Sequence, residues 1–298
     1  MLGARYTVFV SALSLLSSIV VSAPKPSAAY SLLPLVTEEA QTLPSGWIEG
    51  TLAINYFRNG RYPGFTPSGI IRSQTLLALP QVAFHIGVGN WAEFQASYEM
   101  LYLDETAFDG DTNHQYGGGD ARIFTKLWFA RERGWLPAIG MRFGTKLPNA
   151  TRGSGLGTDD TDFAAAALLS KTLGPLTANV NMGISLLGNS GPIFGNSYAA
   201  GGQDDLFTYS IAVVSKPLGA TTEGAVTLKL LGELDGQTGS RVFDNDFNNI
   251  RGGLRLQRGA GTLFVGVSAG LSGIAAEIGA SAGFTYTFDS ATLFPAED

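Results

Sequence analysis

Along much of the chain, large apolar residues return at every second position. In Trp135–Leu147 the odd positions carry Trp135, Ile139, Met141, Phe143 and Leu147, and the even ones carry Ala138, Gly140, Arg142, Gly144 and Lys146. Successive side chains of a strand point to opposite faces, so one face is large and apolar and the other small or cationic. Trp91–Leu103 sets Phe94, Tyr98, Met100 and Tyr102 against Glu93, Gln95, Ser97 and Glu99. Ala121–Phe129 sets Ile123, Leu127 and Phe129 against Arg122 and Lys126. The same contrast recurs in Leu176–Leu187, with Met182 and Ile184 against Asn179 and Asn181, and in Asn249–Arg258, with Ile250 and Leu254 against Arg251 and Arg255.

A soluble β-sandwich also alternates, with its apolar face turned inward. Two features favour a membrane barrel instead. The runs are long enough to cross a bilayer at a tilt, and the second face mixes charge with Gly, Ala and Ser as a polar lumen does. Trp47, Trp91, Trp135, Tyr56, Tyr102 and Phe288 fall near strand ends, where interfacial aromatic girdles form. The links support the same fold. Short ones at Gly89-Asn90, Arg131–Gly134, Leu173–Pro175, Pro217–Ala220 and Gly259–Gly261 alternate with long polar ones. The long links are Asn59–Ile71, Glu105–Gly118, Pro148–Thr161, Gly188–Gln203 and Gly236–Asp246. Outer-membrane barrels pair short periplasmic turns with longer extracellular loops in this way. The reading is an all-β chain, a transmembrane antiparallel barrel of about twelve strands spanning residues 47–288, with both ends in the periplasm. Residues 289–298 form a C-terminal tail.

Composition adds export. Charged residues are 15% of the chain, cysteine is absent, and past the N-terminus no apolar block is long enough for a membrane helix. Arg5, the apolar stretch Thr7–Ala23, the breakers Pro24 and Pro26, and the small residues Ser27-Ala28-Ala29 read as a signal peptide over residues 1–29. Residues 30–46 follow as an N-terminal periplasmic segment. The net charge of −6 disfavours nucleic acid as a partner. The implied location is the outer membrane of a Gram-negative cell, in contact with its lipid and lipopolysaccharide.

Candidate chemistry is sparse. His85 and His114 belong to different loop sets, so a shared metal site is not expected, and no serine–histidine motif marks a lipid-modifying barrel enzyme. Asp104, Glu105, Asp109 and Asp111, and again Asp159, Asp160 and Asp162, lack the spacing of a calcium loop. No cofactor, metal or catalytic residue is expected. What remains is charge on the inward face: Glu49, Glu93, Glu99, Arg122, Lys126, Arg142, Lys146, Glu223, Lys229, Glu233, Arg251 and Arg255. These line a wet path for a small solute or form a salt-bridge network that fills the barrel. Twelve strands leave a narrow or partly plugged pore.

Residues 119–185 resemble the family "MetA-pathway of phenol degradation", a set of outer-membrane barrels. The resemblance rests on Gly119-Asp120, Thr125-Lys126, Gly140, Gly144-Thr145-Lys146-Leu147-Pro148, Gly155-Leu156-Gly157-Thr158, Asp160, Asp162, Ser170-Lys171, Asn181 and Gly183. After Pro148 the chain departs from the family pattern with Asn149-Ala150-Thr151. The resemblance implies a transporter-like barrel for small solutes, aromatic or amphiphilic ones among them. A non-conducting adhesive barrel acting through its long loops is the alternative, and a lipid-modifying enzyme a second.

Overall fold

A computed structural model describes residues 32–58, 71–107, 111–150, 156–157, 159–188, 205–219, 224–239, 247–272 and 275–292. The signal-peptide segment, Glu223 and the end of the C-terminal tail lie outside them. The strands are β1 (Trp47–Arg58), β2 (Ile71–Val88), β3 (Ala92–Ala107), β4 (Thr112–Gly118), β5 (Ala121–Ala130), β6 (Ala138–Leu147) and β7 (Asp162–Leu173). They continue as β8 (Leu176–Leu186), β9 (Leu206–Ser215), β10 (Thr227–Gly239), β11 (Phe247–Arg258), β12 (Gly261–Gly270) and β13 (Ile278–Asp289). Each pairs antiparallel with its neighbour, and β1 pairs with β13 from Trp47↔Asp289 to Arg58↔Ile278, which closes the ring. β4 lies beside one length of β3 and β5 beside the next, so the wall is a closed twelve-stranded antiparallel barrel.

The alternation sets which way each strand faces. Leu52, Phe94, Phe143, Met182, Ile184, Ile250, Leu254 and Val267 are all exposed on the outer face. In water so large an apolar surface would be a liability; around a barrel it is the band that meets lipid. The short links are tight turns: Gly89, Gly134, Gly174 and Gly259 hold φ between 52° and 64°, where a side chain is strained.

Three elements differ from expectation. Most of the expected loop Glu105–Gly118 is a hairpin, in which β3 continues to Ala107 and β4 pairs with it from Thr106↔Thr112 to Met100↔Gly118. The side chains of Thr112–His114 are all exposed. These exposed positions need no apolar alternation, so their sequence reads as loop. Strand β6 begins at Ala138 and not at Trp135, because a bridge between Arg133 and Leu136 closes the preceding turn. Strand β13 runs one residue further than expected, to Asp289, and a 3-10 turn at Ser290–Thr292 follows.

The largest correction concerns residues 30–46. From Leu32 onward, this segment does not stand clear in the periplasm; it runs along the inside of the barrel as a strap. Leu32 and Leu35 pack with Ala212, Val214 and Leu231, and Ala40 packs with Ala138 and Leu168. The wall is bare where the strap comes closest. A Cβ on Gly87 would stand 2.0 Å from the Pro44 carbonyl oxygen, and one on Gly266 would stand 2.4 Å from Pro34 Cγ. The apolar strap gains burial on the inner wall that the periplasm would not provide.

Candidate functional site: a strapped lumen

Gly46, at the strap's end, exchanges main-chain bonds with Gly87 and Ser290; upstream the strap makes no strand pairing with the wall among the described residues, and main-chain groups between Val36 and Leu43 take side-chain partners. Glu233 of β10 accepts from Val36 N at 3.1 Å, from Thr37 N at 2.6 Å and from the Thr37 hydroxyl. Asn181 of β8 accepts from Glu38 N at 2.7 Å and donates back to Glu38 O at 2.9 Å. Ser170 of β7 accepts from Ala40 N at 2.8 Å, and Glu93 of β3 from Leu43 N at 2.8 Å. Buried main-chain donors must be satisfied somewhere, and here the inner wall does it point by point.

The inward charges meet one another and the strap. On β5 and β6 the cations are register partners: Arg122 faces Lys146 and Lys126 faces Arg142. Like charges directly opposite repel, so carboxylates must stand between them. Lys146 lies 3.1 Å from Asp120 and 2.8 Å from Asp162, and Arg122 donates to Glu99 at 2.9 Å. Lys126, fully buried, lies 3.2 Å from Glu93 and 3.3 Å from Glu38. Arg142 donates through Nε to Gln95 at 2.7 Å, lies 3.7 Å from Glu38, and stacks on the Phe124 ring. His85 stands 3.2 Å from Glu93, while His114, on β4, stands 3.2 Å from Asp104.

On the opposite wall Arg251 lies 2.6 Å from Asp235 and 3.4 Å from Glu233. Glu49 is buried and accepts from Thr287 at 3.3 Å. Arg255 is buried, Lys229 is partly so, and Glu39 of the strap lies within electrostatic reach of both.

The rim at the long-link end is narrowed too. Asp120, between β4 and β5, accepts from Asn149 N and Ala150 N, and Asn149 accepts from Ala121 N. Ala150 and Leu156 thereby fold onto Leu76, Ala78, Leu101 and Leu103 inside the wall. A cavity of about 400 Å³ remains beside the strap. Leu33, Val36, Phe57 and Leu76 give it apolar walls, and Arg122 and Arg251 give it cationic ones.

Glu38, Ser170, Asp120 and Asp162 were not among the expected lumen charges or strap anchors. The signal for Glu38 was present as an imbalance. Arg122, Lys126 and Arg142 outnumber Glu93 and Glu99 on the alternating face, and a missing carboxylate is implied.

A closed twelve-stranded antiparallel wall with an outward apolar band defines an outer-membrane β-barrel. No family model matches the chain, and no curated protein sequence does. Among solved structures it is similar to the COG4313 outer membrane channel from Pseudomonas putida F1. That similarity has a TM-score of 0.58 at 14% identity, over 84% of this chain and 98% of that one. It is also similar to the translocator domain of the autotransporter NalP from Neisseria meningitidis. There the TM-score is 0.51 at 10% identity, over 82% of this chain and 89% of that one. At such identities the likeness is one of fold, and by fold the chain belongs in the outer membrane of a Gram-negative cell.

Proposed function

We propose that this protein is a strap-gated conduit for small amphiphilic solutes. The observation that carries the reading is how the strap is held. Individual side-chain bonds and buried apolar residues keep it in place, not ladder pairing, so it can leave while every strand of the wall stays paired. The cavity beside it combines apolar and charged walls, which suits a solute with one greasy and one polar end. The expected lumen charges serve in this reading as the rails on which strap and solute compete.

The test is conductance in planar bilayers, comparing the full chain with a deletion of residues 32–44. The full chain should pass little current and the deletion a larger, steady one. A deletion variant that refolds, shown by its heat-modifiable gel mobility, yet passes no current at any voltage refutes the conduit. That result favours the adhesive, non-conducting barrel.

A further inference from the structure

The two facing cation pairs on β5 and β6 are neutralised differently. The pair Arg122 and Lys146 meets three wall carboxylates, Glu99, Asp120 and Asp162. The pair Lys126 and Arg142 meets one wall carboxylate at ion-pair range among the described residues, Glu93. That carboxylate is already committed, since it accepts from Gln95 at 2.8 Å and from Leu43 N, and stands 3.2 Å from His85. Arg142 Nε donates to the neutral Gln95 oxygen. The second carboxylate comes from the strap. Glu38 Oε2 lies 3.3 Å from Lys126 Nζ and 3.3 Å from Gln95 Nε2, and Oε1 lies 3.7 Å from Arg142 Nε.

We propose that Lys126, Arg142 and Gln95 form a carboxylate-binding subsite, held in the strapped state by the chain's own Glu38 and filled by a small monocarboxylate when the strap leaves. The inference rests on the conduit reading and names its solute class. Its physical basis is charge. When the strap departs, the buried Lys126 and the half-buried Arg142 share one carboxylate, and the excess positive charge in the confined lumen favours an anion in place of the lost one. The three donors sit on successive wall positions β3, β5 and β6, locked in register, so the cradle persists without the strap. The Phe124 ring beneath the Arg142 guanidinium offers an apolar flank to the rest of the solute. The strap thus acts as a tethered competitor that presents the same functional group as the ligand.

The experiment uses the full chain refolded in detergent micelles, with butyrate and its neutral counterpart butyramide as probes in titration calorimetry. Glu38→Gln removes the charge with which the strap competes for the subsite, so a carboxylate displaces it more readily. This variant should bind butyrate about tenfold more tightly than it binds butyramide, and about tenfold more tightly than the unmodified chain binds butyrate. Adding Arg142→Gln should abolish the preference, and adding Arg142→Lys should keep it. If Glu38→Gln refolds poorly by itself, butyrate and not butyramide should raise its refolding yield. Equal responses to the two probes, in binding or in yield, overturn the proposal whatever the conductance. Absence of current through the strap deletion overturns the conduit alone.

Discussion

Glu233→Ala tests whether the strap is fastened where the geometry places it. In the intact barrel this carboxylate receives Val36 N, Thr37 N and the Thr37 hydroxyl. After truncation the hydroxyl keeps Ser210 at 2.9 Å, but two main-chain donors are stranded. An orphaned buried donor costs about 1–3 kcal/mol, so the strap loses roughly 2–6 kcal/mol. Val36 borders the cavity, and water reaching these groups brings the cost to about 2 kcal/mol, the lower end. The wall itself is spared, since Arg251 keeps Asp235 at 2.6 Å.

The assay follows a single cysteine replacing Leu35, which is buried on the inner wall when the strap is docked. Its modification by a soluble maleimide reports the open fraction. A loss of about 2 kcal/mol predicts labelling about thirtyfold faster, with the urea midpoint of the barrel in lipid vesicles unchanged. Ser170→Ala removes a single strap acceptor and should give a smaller acceleration. Unchanged labelling in Glu233→Ala, or a fall in the barrel's midpoint without faster labelling, would show that the carboxylate serves the wall and not the strap.

Phe143, exposed on the outer face of β6, should tolerate apolar exchange, whereas Phe143→Arg should cost about 2–4 kcal/mol near the bilayer midplane; equal refolding yields in liposomes would remove Phe143 from the lipid face. Single cysteines at Asn90 and Gly174, both in short turns, should resist an impermeant reagent on intact cells and label once the periplasm is opened; labelling of Asn90 from outside would invert the barrel. Glu132, in the turn between β5 and β6, is held below the usual carboxylate range by its bonds to Lys171 and Thr172. Because its pKa is depressed, the link is intact above the ordinary value of about 4.3 and is lost as the pH falls through the lowered one; a carboxyl titration followed by NMR with its midpoint at or above that value would contradict the geometry.

The wall was legible in the sequence because lipid and lumen impose opposite demands on adjacent residues. Phe143 and Arg142 need only their parity to be assigned to opposite faces. The hairpin of β3 and β4 escaped because Thr112, Asn113 and His114 are exposed, so nothing forces them into alternation. The strap escaped for another reason. Residues 32–46 have neither period two nor a helical stripe, and they are recognised largely through main-chain donors, which every residue except proline carries alike. Their acceptors, Glu93, Ser170, Asn181 and Glu233, are spread over four strands from β3 to β10, and only the curved wall gathers them around one segment. Of the candidate site, parity gives the face on which Arg122, Lys126 and Arg142 stand, and their excess over Glu93 and Glu99 calls for a further carboxylate, but nothing in the sequence marks Glu38 as its source.

The pairing of β1 with β13 joins the first strand of the chain to the last. A closed sheet has no free edge, and a segment outside it can then enter only by its end. The strap leads directly into β1, so its last residues are fixed at the seam where the ring closes. In an intact ring the proposed gate therefore comes and goes only through an open end of the barrel, pivoting where the strap joins β1. The seam of β1 and β13 is then the hinge post of that gate, and no strand of the sheet has to part for the strap to swing.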